Sequence, residues 1–292
     1  MKVLITGAGG QLAKTAASRM EPAHRVVALT HAQLDVTRHA DVTESVSRER
    51  PDVIINGAAF NDVDGAEAEP VTAMAVNTFG VRALARAAAA FDATLVHFGT
   101  DFIFDGTADH PYTEDASPNP QSVYAVSKLL GEWFACESRH YVLRVESLFG
   151  GDLLPRSDGR TRGSSLDRIA DAMLAGVPVR AFTDRTVTPS YVDDIVDATV
   201  ALLTTNAPPG VYHCVGSGMG TWMEVATHLA AELGCSAKIN PVRMASMTLK
   251  AKRPQFCALS NAKLRSVGIV MPPWEDAVGR YARARLANGE SI

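Results

Sequence analysis

The sequence has few of the features that mark secreted, metal-binding or membrane proteins. Its four cysteines are far apart and form no C-x-x-C pair, so neither a disulfide framework nor a cysteine metal site is predicted. It has no apolar run of about 18 residues, and a strand stands where a signal peptide would have a charged leader and an apolar core. We therefore expect a cytoplasmic protein that does not enter a membrane.

Neither acidic nor basic residues are in large excess. A formal net charge of -4 and the lack of a basic block give no sign of a nucleic acid or an anionic membrane surface as partner. With 47% hydrophobic and 21% charged residues, the composition is that of an ordinary globular protein. The 292 residues are enough for one large domain or for a domain with a smaller companion.

The first twelve residues, MKVLITGAGGQL, predict a buried strand, a glycine-rich turn and the start of a helix. Gly7 and Gly10 allow a tight turn and let the backbone approach a pyrophosphate at the positive end of a helix that begins near Gln11. Gly7, Gly10 and Ala13 form G-x-x-G-x-x-A, not the ordinary G-x-G-x-x-G. We favour a nucleotide-binding βα unit over a glycine turn without a ligand.

Short apolar runs alternate with helical patterns along the chain, which predicts an α/β fold with a doubly wound, Rossmann-like parallel sheet. We assign residues 1–150 to a dinucleotide-binding domain. Residues 151–292 are assigned mainly to a smaller substrate-binding domain, with segments that return to the main sheet. An alanine-rich stretch over residues 66–91 predicts one long helix or two abutting ones.

The end of the second strand leaves the choice of cofactor open. An acidic residue about 20 positions after the glycines favours NAD, but residues 28–34 contain none and Asp35 comes late for that role. No arginine stands at the strand end to bind a 2′-phosphate. We expect NADPH or NADH, with a slight preference for NADPH because nothing acidic repels its phosphate.

Polar and small residues follow the third and fourth strands, where such sheets bind ligands. Ala58 and Ala59 come after the third strand, and Thr100 comes after the fourth. Tyr124 and Lys128 lie four residues apart, on one face of the next helix. The ammonium is expected to lower the tyrosine pKa from about 10, so that the phenol exchanges a proton at neutral pH. The alternative is a packing tyrosine beside a solvated lysine.

Taken together, the GAGGQLA turn, Thr100 and the Y-x-x-x-K pair resemble the extended branch of the short-chain dehydrogenase/reductase superfamily. Further segments resemble the dTDP-4-dehydrorhamnose reductase family: LDVT, PDVIINGAA, VHFGTDFIFDG, PYTEDASPNPQSVYAVSKLLGE and RPQFCALSNAKL. The resemblance spans nearly the whole chain. It implies reduction of the C4 ketone of a nucleotide-linked 4-keto-6-deoxy sugar, with dTDP-4-dehydro-L-rhamnose as the expected substrate.

The resemblance also implies a role for each matching residue. Tyr124 would protonate the C4 oxygen, Lys128 would hold the nicotinamide ribose and lower the tyrosine pKa, and Thr100 would position the carbonyl. The residues expected to contact the pyrophosphate are Gly7, Gly10, Gln11 and Leu12. Those expected near the adenine are Asp35 and Val36, and those near the nicotinamide are Ala58 and Ala59. Substrate contacts are expected from Asp101, as pocket lining and not as an acid, and from Phe102 and Arg253. No metal is predicted, and a homodimer is allowed for.

Two departures from the family fall in the half expected to bind substrate. Where the family reads L-R-T-S-W, this chain reads Leu143 to Ser147 as LRVES, so a tryptophan is replaced by Ser147. The loop over residues 184–189 also lacks the family's glycine. These departures leave a different 4-keto-6-deoxy hexose, or another nucleotide, as an alternative substrate.

Three alternatives remain at this point. A sugar-nucleotide epimerase or another ketoreductase would use the same fold. A dehydratase is disfavoured because Phe102 stands where those enzymes carry the glutamate of T-D-E. A non-catalytic NADP-binding regulatory subunit is disfavoured by the joint presence of Thr100, Tyr124 and Lys128.

Overall fold

Parallel strands form the central sheet of the protein, whose computed structural model describes residues 1–136, 140–151, 154–155, 161–205 and 207–287. In chain order the strands are β1 (Lys2–Thr6), β2 (Arg25–Leu29), β3 (Val53–Asn56), β4 (Thr94–Thr100), β5 (Tyr141–Val145), β6 (Leu148–Phe149), β7 (Leu154–Pro155), β8 (Thr161–Arg162), β9 (Val179–Phe182), β10 (Thr186–Val187), β11 (Ser190–Tyr191), β12 (Gly210–His213), β13 (Gly220–Thr221) and β14 (Ile239–Val242).

Helices flank this sheet and build most of the C-terminal half. They are α1 (Gln11–Met20), α2 (His39–Glu49), α3 (Val63–Ala68), α4 (Pro70–Met74), α5 (Val81–Ala90), α6 (Val123–Ala135), α7 (Ser165–Leu174), α8 (Val192–Thr204), α9 (Trp222–Glu232), α10 (Ala262–Ser266) and α11 (Trp274–Ala287). A π-helix covers Ala75–Gly80, and 3₁₀ turns cover Asp101–Ile103 and Met244–Ser246. Within the described ranges, no helix is long and apolar enough to cross a membrane.

The main sheet has the order β12-β5-β4-β3-β1-β2, and each neighbouring pair is parallel. The chain passes from β1 outward to β2 and then returns to β3 on the other side of β1. The order therefore reverses between β1 and β3, and ligands of such sheets bind at the carboxyl ends of the strands at this point. The predicted doubly wound parallel sheet is confirmed.

The apolar strands form because helices cover both faces of the sheet. Leu4 and Ile5 of β1 point to opposite faces, and both are fully buried. Ile5 belongs to a core with α1 and α8, whereas Leu4 belongs to a core with α2 and α5. Successive side chains of the strand thus pack against helices on opposite faces of the sheet. A strand covered on both faces therefore needs an almost unbroken apolar run.

A third core lies in the C-terminal half. It contains buried residues of β9, α7, α9 and α11, including Trp222 and Trp274. The same half also contributes β12 to the main sheet, where it pairs with β5, and α8 to the core on one face. A domain boundary at residue 150 stays a prediction.

The helix predicted over residues 66–91 is broken into α4, the π-helix and α5. Pro70 starts α4, where its missing N–H costs no helical hydrogen bond. In the π-helix, Asn77 accepts a hydrogen bond from the Phe60 N–H at 2.8 Å and donates to the Phe60 carbonyl at 3.1 Å and to the Ser127 hydroxyl at 3.0 Å. The wide turn therefore joins the segment after β3 to α6.

Replacing Gly131 by Ala should lower the free energy of unfolding by about 1–3 kcal/mol, the usual cost of overpacking. A Cβ at Gly131 would lie 2.0 Å from the Asn77 carbonyl oxygen, so α6 and the π-helix would have to separate. Urea denaturation measures the effect. Gly9→Ala is the control, because a Cβ there meets no atom within 4 Å. Equal stability of the two variants would contradict this account of the helix contact.

Candidate active site

Two glycine-containing turns touch where β1 and β3 end. Gly7 has a φ of 65°, and a Cβ on it would lie 2.5 Å from the Ala58 nitrogen. A Cβ on Gly57 would lie 2.6 Å from the Cβ of Ala13. Both positions require glycine because the chains pass at backbone distance. The alanine at the third motif position is the small residue that this contact accepts.

The turn after β1 fits the pyrophosphate of a dinucleotide. Gly10 is the N-cap of α1, and no side chain caps the helix there. The first N–H groups of a helix, here those of Gln11 and Leu12, have no carbonyl partner within the helix and attract anions. A Cβ on Gly9 would meet open space, so the turn is accessible from that side. The Gln11 amide also donates to the Gly150 carbonyl and holds the segment after β6 against α1.

The residues predicted to lie near the adenine have clear structural contacts. Asp35 accepts hydrogen bonds from the Thr37 N–H at 2.9 Å and hydroxyl at 2.8 Å. Burial acts to raise the pKa of Asp35, but these hydrogen bonds outweigh it and the pKa is lowered. Val36 is buried against Gly80, whose Cβ would lie 2.8 Å from Cγ2 of Val36. Contact of either residue with adenine stays a prediction.

A buried polar chain that the sequence analysis missed runs behind the proposed nicotinamide side. Asn56 accepts a hydrogen bond from the Thr6 hydroxyl at 2.7 Å and from the Ala58 N–H at 3.1 Å. Its amide nitrogen is 3.1 Å from Nδ1 of His97. Burial, with help from the Lys128 charge, lowers the pKa of His97 far enough to keep the ring neutral. Polar residues inside otherwise apolar strands were the available signal.

The three predicted catalytic residues meet at the carboxyl end of β4. Tyr124 lies in the first turn of α6 and is only 8% exposed, and the Thr100 side chain is near enough to lower its pKa. Lys128 is buried on the same helix face and donates to the Phe98 carbonyl at 2.6 Å. The Thr100 hydroxyl lies 3.1 Å from Oδ1 of Asp101. The residues of the predicted triad are therefore neighbours.

The predicted lowering of the Tyr124 pKa is wrong. Burial and the nearby Asp101 carboxylate raise this pKa to about 12, and the hydrogen bond to Thr100 offsets only part of the shift. Burial also lowers the pKa of Lys128 to about 8 against the opposing effect of Glu132. The phenol is consequently held protonated at neutral pH, which is the form required of a proton donor.

Phe102 contacts this centre, whereas Arg253 binds α3. The Phe102 ring meets the Tyr124 ring edge-on with centroids 5.6 Å apart, so an apolar group stands where a dehydratase needs a carboxyl. Arg253 forms a bidentate salt bridge with Asp64 of α3, at 3.0 and 2.8 Å. This pair ties the C-terminal segment to α3. A phosphate contact by Arg253 stays a prediction, and a phosphate would have to share the guanidinium with Asp64.

The structure also brings together three buried side chains and the half-buried Arg185. This group is here named the carboxyl cluster: Asp101, Glu146, Arg185 and Cys257. One ligand atom each from Asp101, Glu146 and Cys257 lies within 4.8 Å of the others. Glu146 accepts hydrogen bonds from the Thr188 N–H at 2.8 Å and from its hydroxyl. Both departures from the family, at residues 143–147 and 184–189, contribute to this cluster.

Arg185 supplies the positive charge of the carboxyl cluster. Its guanidinium donates to Sγ of Cys257 at 3.6 Å and lies 5.6 Å from the centre of the Phe102 ring. The three ligand atoms could hold a metal ion by distance alone, but the guanidinium already supplies a positive charge there. We assign no metal to the cluster. Ser147, which replaces the family's tryptophan, has a φ of 45° and turns the chain out of β5.

Known proteins share this arrangement along the full chain. A family model described as the RmlD substrate binding domain matches residues 1–286. The spore coat polysaccharide biosynthesis protein SpsK of Bacillus subtilis is 30% identical over 97% of this chain and 98% of its own. The dTDP-4-dehydrorhamnose reductase of Mycobacterium tuberculosis is 33% identical over 100% of this chain and 95% of its own. A solved dTDP-4-dehydrorhamnose reductase from Bacillus anthracis in complex with NADP has a TM-score of 0.89 at 28% identity, covering 97% of this chain and 99% of its own.

Replacing Lys128 by Met should stabilise the protein more at pH 7 than at pH 10. With a folded pKa of about 8 against an ordinary 10.5, charging Lys128 in the folded protein costs roughly 3 kcal/mol at pH 7. This cost is fully present below pH 8, falls as the pH rises above 8, and disappears only above pH 10.5, where the lysine is neutral in both states. The lost hydrogen bond to Phe98 affects both pH values alike.

Urea denaturation at the two pH values measures this difference. The difference in unfolding free energy between variant and wild type should fall by roughly 2–3 kcal/mol from pH 7 to pH 10. Lys252→Met removes a surface lysine and serves as the control. A difference that is the same at both pH values would show that Lys128 carries no buried charge.

Proposed function

The chain belongs to the RmlD substrate binding domain family, and on this basis we propose that it reduces the C4 ketone of a nucleotide-linked 4-keto-6-deoxy sugar with NAD(P)H. The specific reaction we propose is the conversion of dTDP-4-dehydro-L-rhamnose to dTDP-L-rhamnose. The observation that carries this proposal is the contact of Tyr124 with Thr100 beside the buried Lys128, at the carboxyl end of a strand next to the glycine turn.

The three side chains divide the work of the reduction. NAD(P)H, when bound beside these residues, would supply the hydride for C4 of the sugar. The Tyr124 phenol gives its proton to the C4 oxygen, and a pKa of about 12 suits this step because an alkoxide is a far stronger base than a phenolate. The Thr100 hydroxyl orients the carbonyl oxygen toward the phenol. Lys128, anchored on the Phe98 carbonyl, is placed to hold the nicotinamide ribose.

The same contacts argue against the alternatives. Dehydration needs a second carboxyl after the threonine and aspartate, and the Phe102 ring stands at that position against Tyr124. A regulatory subunit would have no use for a phenol, a hydroxyl and an ammonium brought together in a buried site. Burying such groups is costly, and a reaction that uses them accounts for their presence.

We further propose a homodimer that works in the cytoplasm. Val71 of α4, Phe79 of the π-helix and Trp133 of α6 expose 81%, 46% and 58% of their surface, on helices that pack on one another. Exposed apolar side chains in one region favour a protein partner, and a second copy is the simplest. The free cysteines suit a reducing compartment. Sedimentation analysis of the wild type and Trp133→Glu tests the dimer, which the variant should weaken.

NADPH should bind more tightly than NADH, and Thr30→Asp should weaken NADPH relative to NADH by about tenfold, or 1.4 kcal/mol. Thr30 directly follows β2 and bonds to the Gln33 side chain, while the Asp35 carboxylate is held by Thr37. A new carboxylate at residue 30 would repel the 2′-phosphate. Calorimetry with both cofactors measures the ratio. Thr43→Asp, on the exposed side of α2, should leave it unchanged, and a wild type that prefers NADH would contradict the assignment.

Tyr124→Phe should lower kcat/KM for dTDP-4-dehydro-L-rhamnose by about 10²–10⁴-fold, because it removes the proton donor and little else. Cofactor binding should change little, since the ring and its contact with Phe102 remain. Oxidation of NADPH, followed by its absorbance, measures the rate, and calorimetry measures binding.

Tyr141→Phe is the matched control for this variant. The Tyr141 hydroxyl donates to the Ala207 carbonyl at 2.7 Å, at the edge of the sheet formed by β5 and β12. This variant should keep the wild-type rate. Wild-type turnover by Tyr124→Phe would refute the role of the phenol. A wild type that binds NADPH tightly but does not oxidise it with this sugar would refute the proposed substrate.

A further inference from the structure

The two carboxyls of the carboxyl cluster lie beside the proposed catalytic residues and are closed to solvent. Asp101 is 3% and Glu146 2% exposed, so neither carboxyl presents a surface to which a sugar could bind. Each has one oxygen with a protein partner and one without: Oδ2 of Asp101 and Oε1 of Glu146 have no hydrogen-bond partner. Two buried, half-satisfied carboxyls call for an explanation, because unpartnered polar atoms are costly in a protein interior.

Charge balance accounts for the pair if it holds one proton. Arg185 brings one positive charge to the cluster, and two ionised carboxylates would leave a net negative charge on side chains that are almost fully buried. Burial and repulsion by the Asp101 carboxylate raise the pKa of Glu146 well above its ordinary value. Burial raises the pKa of Asp101 to about 6, against the lowering effect of the Arg185 charge. Burial likewise raises the pKa of the Cys257 thiol, so this group is neutral. One proton shared by the two carboxyls makes the cluster neutral.

A hydroxyl connects this pair to the catalytic phenol. The Thr100 hydroxyl donates to Oδ1 of Asp101 at 3.1 Å, and it is also near enough to Tyr124 to lower the pKa of the phenol. A hydroxyl can donate and accept at once and can rotate between partners. When Asp101 is ionised, Thr100 donates to it. When Asp101 carries the proton, the Asp101 carboxyl donates to the Thr100 oxygen. The Thr100 hydroxyl can then donate its own hydrogen to Tyr124.

We propose that Asp101 and Glu146 share one proton, and that this pair returns a proton to Tyr124 through the Thr100 hydroxyl after each reduction. This inference rests on the proposed function. It assigns an acid role to Asp101, where the sequence predicts only pocket lining, and it gives Glu146, a residue that departs from the family pattern, a part in turnover as the positioning partner that keeps the proton on the pair.

The proton balance of the relay is simple. Reduction transfers the phenol proton of Tyr124 to the sugar oxygen and leaves a phenolate. The phenolate takes the hydrogen of the Thr100 hydroxyl, and the Thr100 oxygen takes the proton of the Asp101 carboxyl. The pair is then doubly ionised beside Arg185, and it regains one proton from solvent after product release. No electrons move in these steps, and no further reactant is needed.

The test is the pH dependence of kcat in wild type and in Glu146→Gln. The relay works only while the pair holds its proton, so wild-type kcat should fall as the pH rises through the pKa of the pair. Glutamine keeps the size of the side chain and an oxygen for Thr188, but it removes the negative charge that holds the proton on Asp101. The alkaline fall should therefore move to lower pH by a unit or more, with kcat about tenfold lower at pH 8.

Glu44→Gln, on the exposed side of α2, is the control. It makes the same substitution far from the cluster in the fold, so its pH profile should follow the wild type. A change in stability or packing alone would lower kcat at every pH without moving the alkaline fall. If Glu146→Gln keeps the wild-type profile, the relay is refuted.

Infrared spectroscopy tests the shared proton independently of activity. At pH 7 the wild type should show the carbonyl stretch of a buried protonated carboxyl, and Glu146→Gln should lose it. Absence of this band from the wild type would overturn the inference even if the sugar is reduced. If the band is present but the protein does not reduce the sugar, the proposed function is contradicted and the shared proton is not.

Discussion

Burial of ionisable side chains at the carboxyl ends of β4 and β5 is the constraint on which this protein depends. The strands that lead to this point are apolar and covered on both faces, so the polar groups at their ends have almost no water around them. Each charge must then find a partner. Lys128 donates to the Phe98 carbonyl, and Arg185 lies beside the two carboxyls of the cluster. A phenol in this setting stays protonated, and a site that must give a proton to a carbonyl oxygen needs that form.

The rest of the fold serves to hold these groups in place. The turns after β1 and β3 meet at backbone distance, and the Asn77 side chain ties the segment that follows β3 to α6. Behind α6, Glu132 and Arg144 form a buried ion pair between the helix and β5. Such a pair contributes little net stability, but breaking it is costly, so it fixes the position of the helix that carries Tyr124 and Lys128. The proposed cofactor turn and the proton donor are thereby parts of one rigid unit.

The half of the site that departs from the family pattern has changed in chemical character. Ser147 stands in place of an aromatic side chain, and the neighbouring Glu146 turns inward to Thr188. Arg185 comes from the second departing loop and faces the same carboxyls. The two segments that depart from the family pattern therefore meet in the structure, where Arg185 brings a positive charge to the buried glutamate.

Local sequence determined much of the architecture and the identity of the site. The bounds of β1, β2, β3 and β9 follow from short apolar runs between turn residues, since a strand buried on both faces admits little else. Glycine spacing located the nucleotide turn, and the spacing of Tyr124 and Lys128 placed both on one helix face. Tertiary structure alone decided three things: the π-turn at Asn77, the raised pKa of Tyr124, and the meeting of Asp101 with Glu146 and Arg185. Each depends on which distant segments exclude water from a group and on which charges they bring to it. Residues far apart in the chain supply both, so no local pattern contains that information.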